Sequence, residues 1–120
     1  FFLPGPGYFG HYGIDIANAI YTPILAANDA IVLEVGYAVD GNRHASYGMM
    51  VILAHSQSEE TLYAHLDDVD FLPSVAAGQF VSRGQTIGYV GVTGFTTGPH
   101  LHFEYRVNGM PLDPRIVLGY

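Results

Sequence analysis

The sequence predicts a mainly β, turn-rich domain, and three observations support this prediction. The chain of 120 residues combines 49% hydrophobic residues with 15 glycines and 7 prolines, a composition typical of compact β proteins. Short apolar or alternating segments, typical of strands, are separated by glycine-rich and proline-rich turns. One of them, residues 100–105, alternates so that His100 and His102 point to the same face of a strand. We therefore expect a single domain over residues 1–120, large enough to bury one core without disulfides.

The first predicted strand contains an aspartate between two isoleucines. Ile14 and Ile16 flank Asp15, so the carboxylate turns away from the apolar face, and Gly13 argues against a helix. His11 precedes Asp15 by four positions. Asp15 therefore either bonds to the backbone at a turn or sheet edge, or acts with His11 as a metal ligand. Imidazole with carboxylate is a common ligand set for zinc.

Two structural strands are predicted next, over residues 22–27 and 30–37. Residues 47–55 follow and are apolar on both faces, which is typical of a central strand that is covered on each side. The acidic residues of the 67–70 segment are interpreted as surface solvation on a turn or a short helical piece. Residues 78–91 contain glycines that break short β segments.

The segment 60–66 is predicted to form a hairpin with the central strand. In regular alternation, Tyr63 and His65 share one face of this segment. That face is either the half-exposed side of an antiparallel sheet or a second place where chemistry could occur.

Composition excludes several classes of protein and of site. The chain has no cysteine, so a disulfide framework and a thiolate zinc site are both excluded, and a metal would need imidazole and carboxylate ligands. Four Lys plus Arg residues against eleven acidic residues, a net charge of −7, argue against a nucleic-acid partner. No run approaches the roughly 18 apolar residues of a membrane span. Because the chain does not start with methionine, we expect a piece of a longer exported precursor, with any signal or regulatory domain outside it.

The His100-x-His102 pair has two ordinary chemical uses. Both imidazoles can bind one metal, or one can bind it while its neighbour moves protons beside it. The alternative is a pair of surface histidines, so the metal hypothesis depends on finding further ligands.

Three motifs together resemble a known family. They are His11-x-x-x-Asp15, Tyr63-Ala64-His65-Leu66, and the segment from Gly91 to Glu104 that contains Thr-Gly-Pro-His-Leu-His-Phe-Glu. Their order and gaps closely resemble those of the lysostaphin-like (LytM-type) zinc endopeptidases, which cut peptidoglycan, over about residues 10–114.

The resemblance implies a fold and a site. The implied fold is a small antiparallel β domain of the duplicated-hybrid-motif type, with an open groove over a zinc site. The implied ligands of one Zn²⁺ are His11, Asp15 and His102, which leaves the fourth position to water. His65 and His100 would be the catalytic pair beside that water. Tyr63 is a further candidate for an assisting residue.

The resemblance also implies a function. We expect a zinc metalloendopeptidase that hydrolyses peptide cross-links of bacterial peptidoglycan, in the periplasm, the cell envelope or outside the cell. D-alanyl stem cross-links are favoured over glycine bridges because they are the broader use among relatives. The alternative on the same fold is a noncatalytic regulator of wall hydrolases. A biotinyl or lipoyl carrier is excluded because the chain has no lysine, and a phosphocarrier gives no account of Asp15.

Overall fold

The computed structural model describes residues 13–114 and the backbone of one short strand before them. The described part contains ten strands and no helix, and none of its elements is a helix that could cross a membrane. The strands are β1 (Tyr8–Phe9), β2 (Ile14–Ala17), β3 (Pro23–Leu25), β4 (Ala30–Tyr37), β5 (Met49–Ala54), β6 (Glu59–Leu66), β7 (Phe80–Val81), β8 (Thr86–Tyr89), β9 (His100–Val107) and β10 (Met110–Leu112). The prediction of a mainly β domain is confirmed.

The strands form two sheets in which every pairing is antiparallel. The large sheet has the order β1-β2-β9-β6-β5-β4-β7, and β10 pairs with β9 beside this path. The small sheet contains β3 and β8. Since β9 lies between β2 and β6, residues from three distant parts of the sequence become neighbours at the middle of the large sheet.

The core lies between the two sheets. Ile24 of β3 and Ile87 of β8 belong to the same buried cluster as residues of the large sheet, among them Val51, Tyr63 and Phe103. The last three are Cα partners across β5, β6 and β9, so one row of side chains crosses the sheet and points into this core. Burial of such large side chains contributes about 1.5–3 kcal/mol each relative to exposure.

The opposite face of the large sheet is covered by residues 38–48, here called the 38–48 loop. Met50, Leu62 and Ala64 form a second buried cluster on that face, and Ala38 and Tyr47 pack against it. The two-sided cover explains why β5 is apolar on both faces, as predicted for a central strand.

A bulge in β6 changes which face its side chains reach. Met49 pairs with Leu66 and Val51 pairs with Tyr63, so two residues of β6 lie opposite one residue of β5. His65 occupies this bulge with a φ of 65°, and its N–H donates to the carbonyl of Tyr47 at 2.9 Å. The prediction that Tyr63 and His65 share a face is wrong, because the extra residue reverses the alternation.

Two acidic residues after β6 are buried, contrary to the interpretation of this segment as surface solvation. Asp67 Oδ2 accepts hydrogen bonds from the N–H groups of Asp70 and Phe71, at 3.0 and 2.7 Å, and so caps a turn. The side chain of Asp68 is 2% exposed and accepts from Arg43 Nε at 2.7 Å. Arg43 lies in the 38–48 loop, so this ion pair connects the loop to the segment that follows β6.

We expect Arg43→Met to destabilise the protein at pH 7, by an amount that shrinks as the pH falls below about 4. Hydrogen bonding from Arg43 lowers the pKa of Asp68, which outweighs the opposing effect of burial. A carboxyl group whose pKa is depressed on folding contributes stability above its unfolded pKa of about 3.9, and loses it as the pH falls through the folded pKa. Urea unfolding of both proteins between pH 7 and pH 2 measures this difference.

Tyr37→Phe is the matched control for the ion pair. Tyr37 donates to the same carboxylate at 2.8 Å and also lowers the pKa of Asp68, but less than Arg43 does. Tyr37→Phe should therefore keep the ion pair and lose less of the dependence of stability on pH than Arg43→Met does. A stability difference between wild type and Arg43→Met that stays constant across the pH range would contradict the prediction.

Candidate active site

An open groove crosses the large sheet where β2, β6 and β9 meet. Its volume is about 510 Å³. Ser46 and Tyr47 form one wall from the 38–48 loop, and the loop that precedes β9 forms another. The lining residues are Asp15, Ser46, Tyr47, His65, Phe95, Thr96, Thr97, His100 and His102.

Asp15 and His102 meet at the bottom of this groove. They are Cα partners in the antiparallel pairing of β2 with β9, so both side chains leave the sheet on the same side. Nδ1 of His102 lies 2.7 Å from Oδ1 of Asp15. The third predicted ligand, His11, lies outside the described residues.

His65 and His100 form a second pair beside the first. Their ring centroids are 4.7 Å apart, and Nε2 of His100 is 3.7 Å from Oδ1 of Asp15. Each ring donates from Nδ1 to a backbone carbonyl, His65 to Thr93 at 2.7 Å and His100 to Gly98 at 3.0 Å. Both rings therefore keep Nε2 unprotonated when neutral, with a lone pair available for a proton.

His65 is held in its neutral form at physiological pH. Burial and, to a smaller extent, the nearby imidazoles of His100 and His102 lower the pKa of His65 to about 4, although the bond to Thr93 acts in the opposite direction. A buried neutral imidazole can accept a proton without first having to lose one.

Glu104 is a residue of the site that the sequence analysis missed. It is fully buried, and its Oε2 accepts from Nε2 of His102 at 2.8 Å and from the hydroxyl of Tyr47. Oε1 accepts from Nε of Arg106 at 2.8 Å. The alternation that aligned His100 with His102 continues to position 104 and was the signal that could have found this residue.

The contacts of His102 oppose burial in setting its charge. Burial acts to lower the pKa of His102, but hydrogen bonds with Glu104 and Asp15 outweigh it and raise this pKa. Burial likewise acts to raise the pKa of Glu104, and the bonds from His102, Tyr47 and Arg106 lower it overall. Glu104 is therefore an anion beneath the groove.

The donor set at Asp15 and His102 suits a divalent metal such as zinc. With Nε2 of His102 donating to Glu104, the neutral ring faces Asp15 with a lone pair on Nδ1, so two electron-pair donors stand side by side. Such a pair needs a proton or a cation to be stable, and imidazole with carboxylate is a common zinc set. No group of three such residues occurs between residues 13 and 114. Of the three predicted ligands, Asp15 and His102 lie among the described residues.

Tyr63 does not line the groove. It is 1% exposed, its ring packs edge-on against Phe103 in the main core, and its hydroxyl accepts from the N–H of Ala27 and from Thr61. This position contradicts an assisting role for Tyr63. Because of the bulge at His65, the side chains of Tyr63 and His65 lie on opposite faces of the sheet.

The fold and the groove fit a metallopeptidase domain, and comparison with protein families agrees. Residues 9–114 match the family model described as Peptidase family M23. The chain belongs to this family, and the resemblance to lysostaphin-like peptidases is confirmed.

Individual relatives give the same result. The chain is 40% identical over 107 residues to the Peptidoglycan DD-endopeptidase ShyC of Vibrio cholerae, over 89% of this chain and 22% of that protein. It is similar to a zinc containing peptidase from Vibrio cholerae, with 37% identity and a TM-score of 0.73 over 85% of this chain and 28% of that one.

The catalytic domain of the antimicrobial peptidase lysostaphin from Staphylococcus simulans is also similar. The two sequences are 31% identical and the structures align with a TM-score of 0.79, over 92% of this chain and 80% of the lysostaphin chain. The chain spans 22% of the length of the first curated relatives that it matches.

Proposed function

We propose that this domain is a zinc-dependent endopeptidase that hydrolyses D-alanyl peptide cross-links of bacterial peptidoglycan, in the cell envelope or outside the cell. The observation that carries the proposal is the convergence of Asp15, His102, His65 and His100 on one open groove in a chain of Peptidase family M23. The relative named Peptidoglycan DD-endopeptidase supports the choice of substrate.

His11, Asp15 and His102 would hold the ion. When bound, zinc supplies a positive charge that polarises a scissile carbonyl and lowers the pKa of a water molecule in the groove to roughly 7. The 2.7 Å separation between Nδ1 of His102 and Oδ1 of Asp15 supports this assignment.

His65 and His100 would move the proton that amide hydrolysis requires. Each turns Nδ1 to a carbonyl oxygen and keeps a lone pair on Nε2, so each can accept a proton from water in the groove and return it to the leaving nitrogen. The backbone bonds fix the rings before a substrate arrives, which removes the need to order them during the reaction.

Substrate recognition would take place inside the groove. The chain has a net charge of −7, and peptidoglycan carries carboxylates, so attraction at long range is absent. Repulsion between exposed charges is screened beyond about 8 Å at physiological salt. The exposed ring of Phe95 and the ring of Tyr47 give the groove apolar walls that suit a peptide of small, uncharged residues.

Digestion of purified peptidoglycan tests the proposal. D-alanyl cross-linked walls and glycine-bridged walls would be incubated with the zinc-loaded protein and with protein treated with a chelator, and the released fragments would be identified by mass spectrometry. We expect zinc-dependent loss of D-alanyl cross-linked dimers. If a folded sample that holds one zinc releases nothing from either wall, the domain is a noncatalytic regulator.

A further inference from the structure

Glu104 touches the candidate site but has no part in the proposed reaction. Its carboxylate is fully buried, and each of its oxygens is used: Oε2 accepts from His102 and Tyr47, and Oε1 accepts from Arg106. An ionised carboxylate is costly to bury without such partners. These hydrogen bonds therefore allow β9 to hold an ionised carboxylate in a buried position.

Both ring nitrogens of His102 face a carboxylate. Nε2 lies 2.8 Å from Oε2 of Glu104, and Nδ1 lies 2.7 Å from Oδ1 of Asp15. A carboxylate only accepts hydrogen bonds, so each nitrogen can carry a proton. The side chain of Asp15 is open to the groove and that of Glu104 is buried, so a metal that enters from the groove would take the place of the proton on Nδ1, and Glu104 would keep the proton on Nε2.

The other two histidines of the groove are held differently. His65 and His100 are fixed through Nδ1, and their acceptors are neutral backbone carbonyls. His102 is fixed through the opposite nitrogen, and its acceptor is charged. Charge-assisted hydrogen bonds are roughly twice as strong as neutral ones, and a carboxylate partner raises the basicity of an imidazole ligand. This difference in hydrogen bonding matches the different roles proposed for the residues, with His102 as a metal ligand and with His65 and His100 as groups that move a proton.

Two further residues hold Glu104 in place. Arg106 contacts Oε1 through Nη2 at 2.7 Å, which offsets the buried charge without occupying Oε2. Tyr47 donates to Oε2, and its ring lies nearly parallel to that of His102, with centroids 5.5 Å apart and planes 20° apart. The His102 ring is therefore restrained both along its edge and across its face.

We propose that Glu104 is a positioning residue of the metal centre, which keeps the proton of His102 on Nε2 and directs Nδ1 at the ion. Arg106 and Tyr47 support Glu104 in this role. The inference rests on the proposed function, because it requires that His102 is a zinc ligand.

The test compares zinc affinity with folding stability. Zinc affinity would be measured by competition with a chromogenic chelator, and stability by thermal unfolding of the zinc-free protein. We expect Glu104→Gln to weaken zinc binding about 10–100-fold. Glu34→Gln, which removes the same charge from an exposed position on β4, is the matched control and should bind zinc like the wild type.

A double variant separates positioning from stability. Glu104→Gln leaves Arg106 without its carboxylate, whereas Glu104→Gln combined with Arg106→Met removes both charges of the pair. We expect the double variant to unfold at a higher temperature than Glu104→Gln while its zinc affinity remains equally weak. In the zinc-loaded wild type, ¹⁵N-resolved NMR should also show a strongly downfield Nε2 proton on His102, and this signal should be absent or moved upfield in Glu104→Gln.

The outcomes distinguish this inference from the proposed function. Zinc affinity that is unchanged in Glu104→Gln, or that follows thermal stability across all variants, overturns the inference and leaves the proposed function standing. A folded wild-type protein that binds no zinc overturns the proposed function, and this inference with it.

Discussion

Asp15→Ala is expected to abolish both zinc binding and peptidoglycan cleavage. Its carboxylate lies 2.7 Å from Nδ1 of His102, and removing it leaves the predicted centre with one ligand fewer. A catalytic metal contributes several kcal/mol of transition-state stabilisation, so turnover should fall by about 10³-fold or more. Zinc content by mass spectrometry of the native protein and cleavage of cross-linked dimers are the two measurements.

The fold is expected to survive this substitution. The side chain of Asp15 is 52% exposed, whereas its neighbours Ile14 and Ile16 are buried and pack β2 against the core. Asp40→Ala, at an exposed position of the 38–48 loop, is the matched control and should keep zinc and activity. An Asp15→Ala protein that still holds one zinc and cleaves at the wild-type rate would exclude Asp15 as a ligand.

His65→Asn and His100→Ala are expected to lower turnover by about 10²–10⁴-fold each while zinc stays bound. Both rings face the groove with Nε2, and neither contacts His102 through a hydrogen bond. Asparagine is chosen at position 65 because it tolerates a positive φ, so the bulge should persist. The measurements are kcat on cross-linked dimers and zinc stoichiometry.

His44→Ala is the control for these two variants. His44 is exposed in the 38–48 loop, away from the groove lining, and its removal should leave turnover unchanged. Near wild-type turnover in both His65→Asn and His100→Ala, with zinc present, would show that the proton moves by another route. A combined His65→Asn/His100→Ala variant that is no slower than either single variant would indicate that the two imidazoles act as one unit.

Much of the architecture could be predicted from local patterns. Alternation placed His100 and His102 on one face of β9, and the two-sided apolar run identified β5 as a central strand. Asp15 between two buried isoleucines indicated a carboxylate that leaves the core. These inferences succeed because each depends only on the period of a regular strand.

Other features depend on contacts between distant residues. The face of the sheet to which His65 points is set by a bulge, which a backbone hydrogen bond to Tyr47 stabilises. The alternation of residues in β6 does not predict this bulge. The burial of Asp68 requires Arg43, which lies 25 positions away. The buried position of Glu104 in the site depends on Tyr47 of the 38–48 loop, whose hydroxyl donates to the Glu104 carboxylate. Such features follow from tertiary structure and not from local propensity.

The bulge at His65 has a consequence for protein engineering. Because one extra residue changes the side to which β6 delivers its side chains, the same strand supplies Tyr63 to the core and an imidazole to the groove. A transplanted hairpin rebuilt with ideal spacing would send the imidazole inward and turn a leucine out to water. Any transfer of this groove to another scaffold must therefore include the bulge at His65, together with the carbonyl of Tyr47 that accepts its N–H.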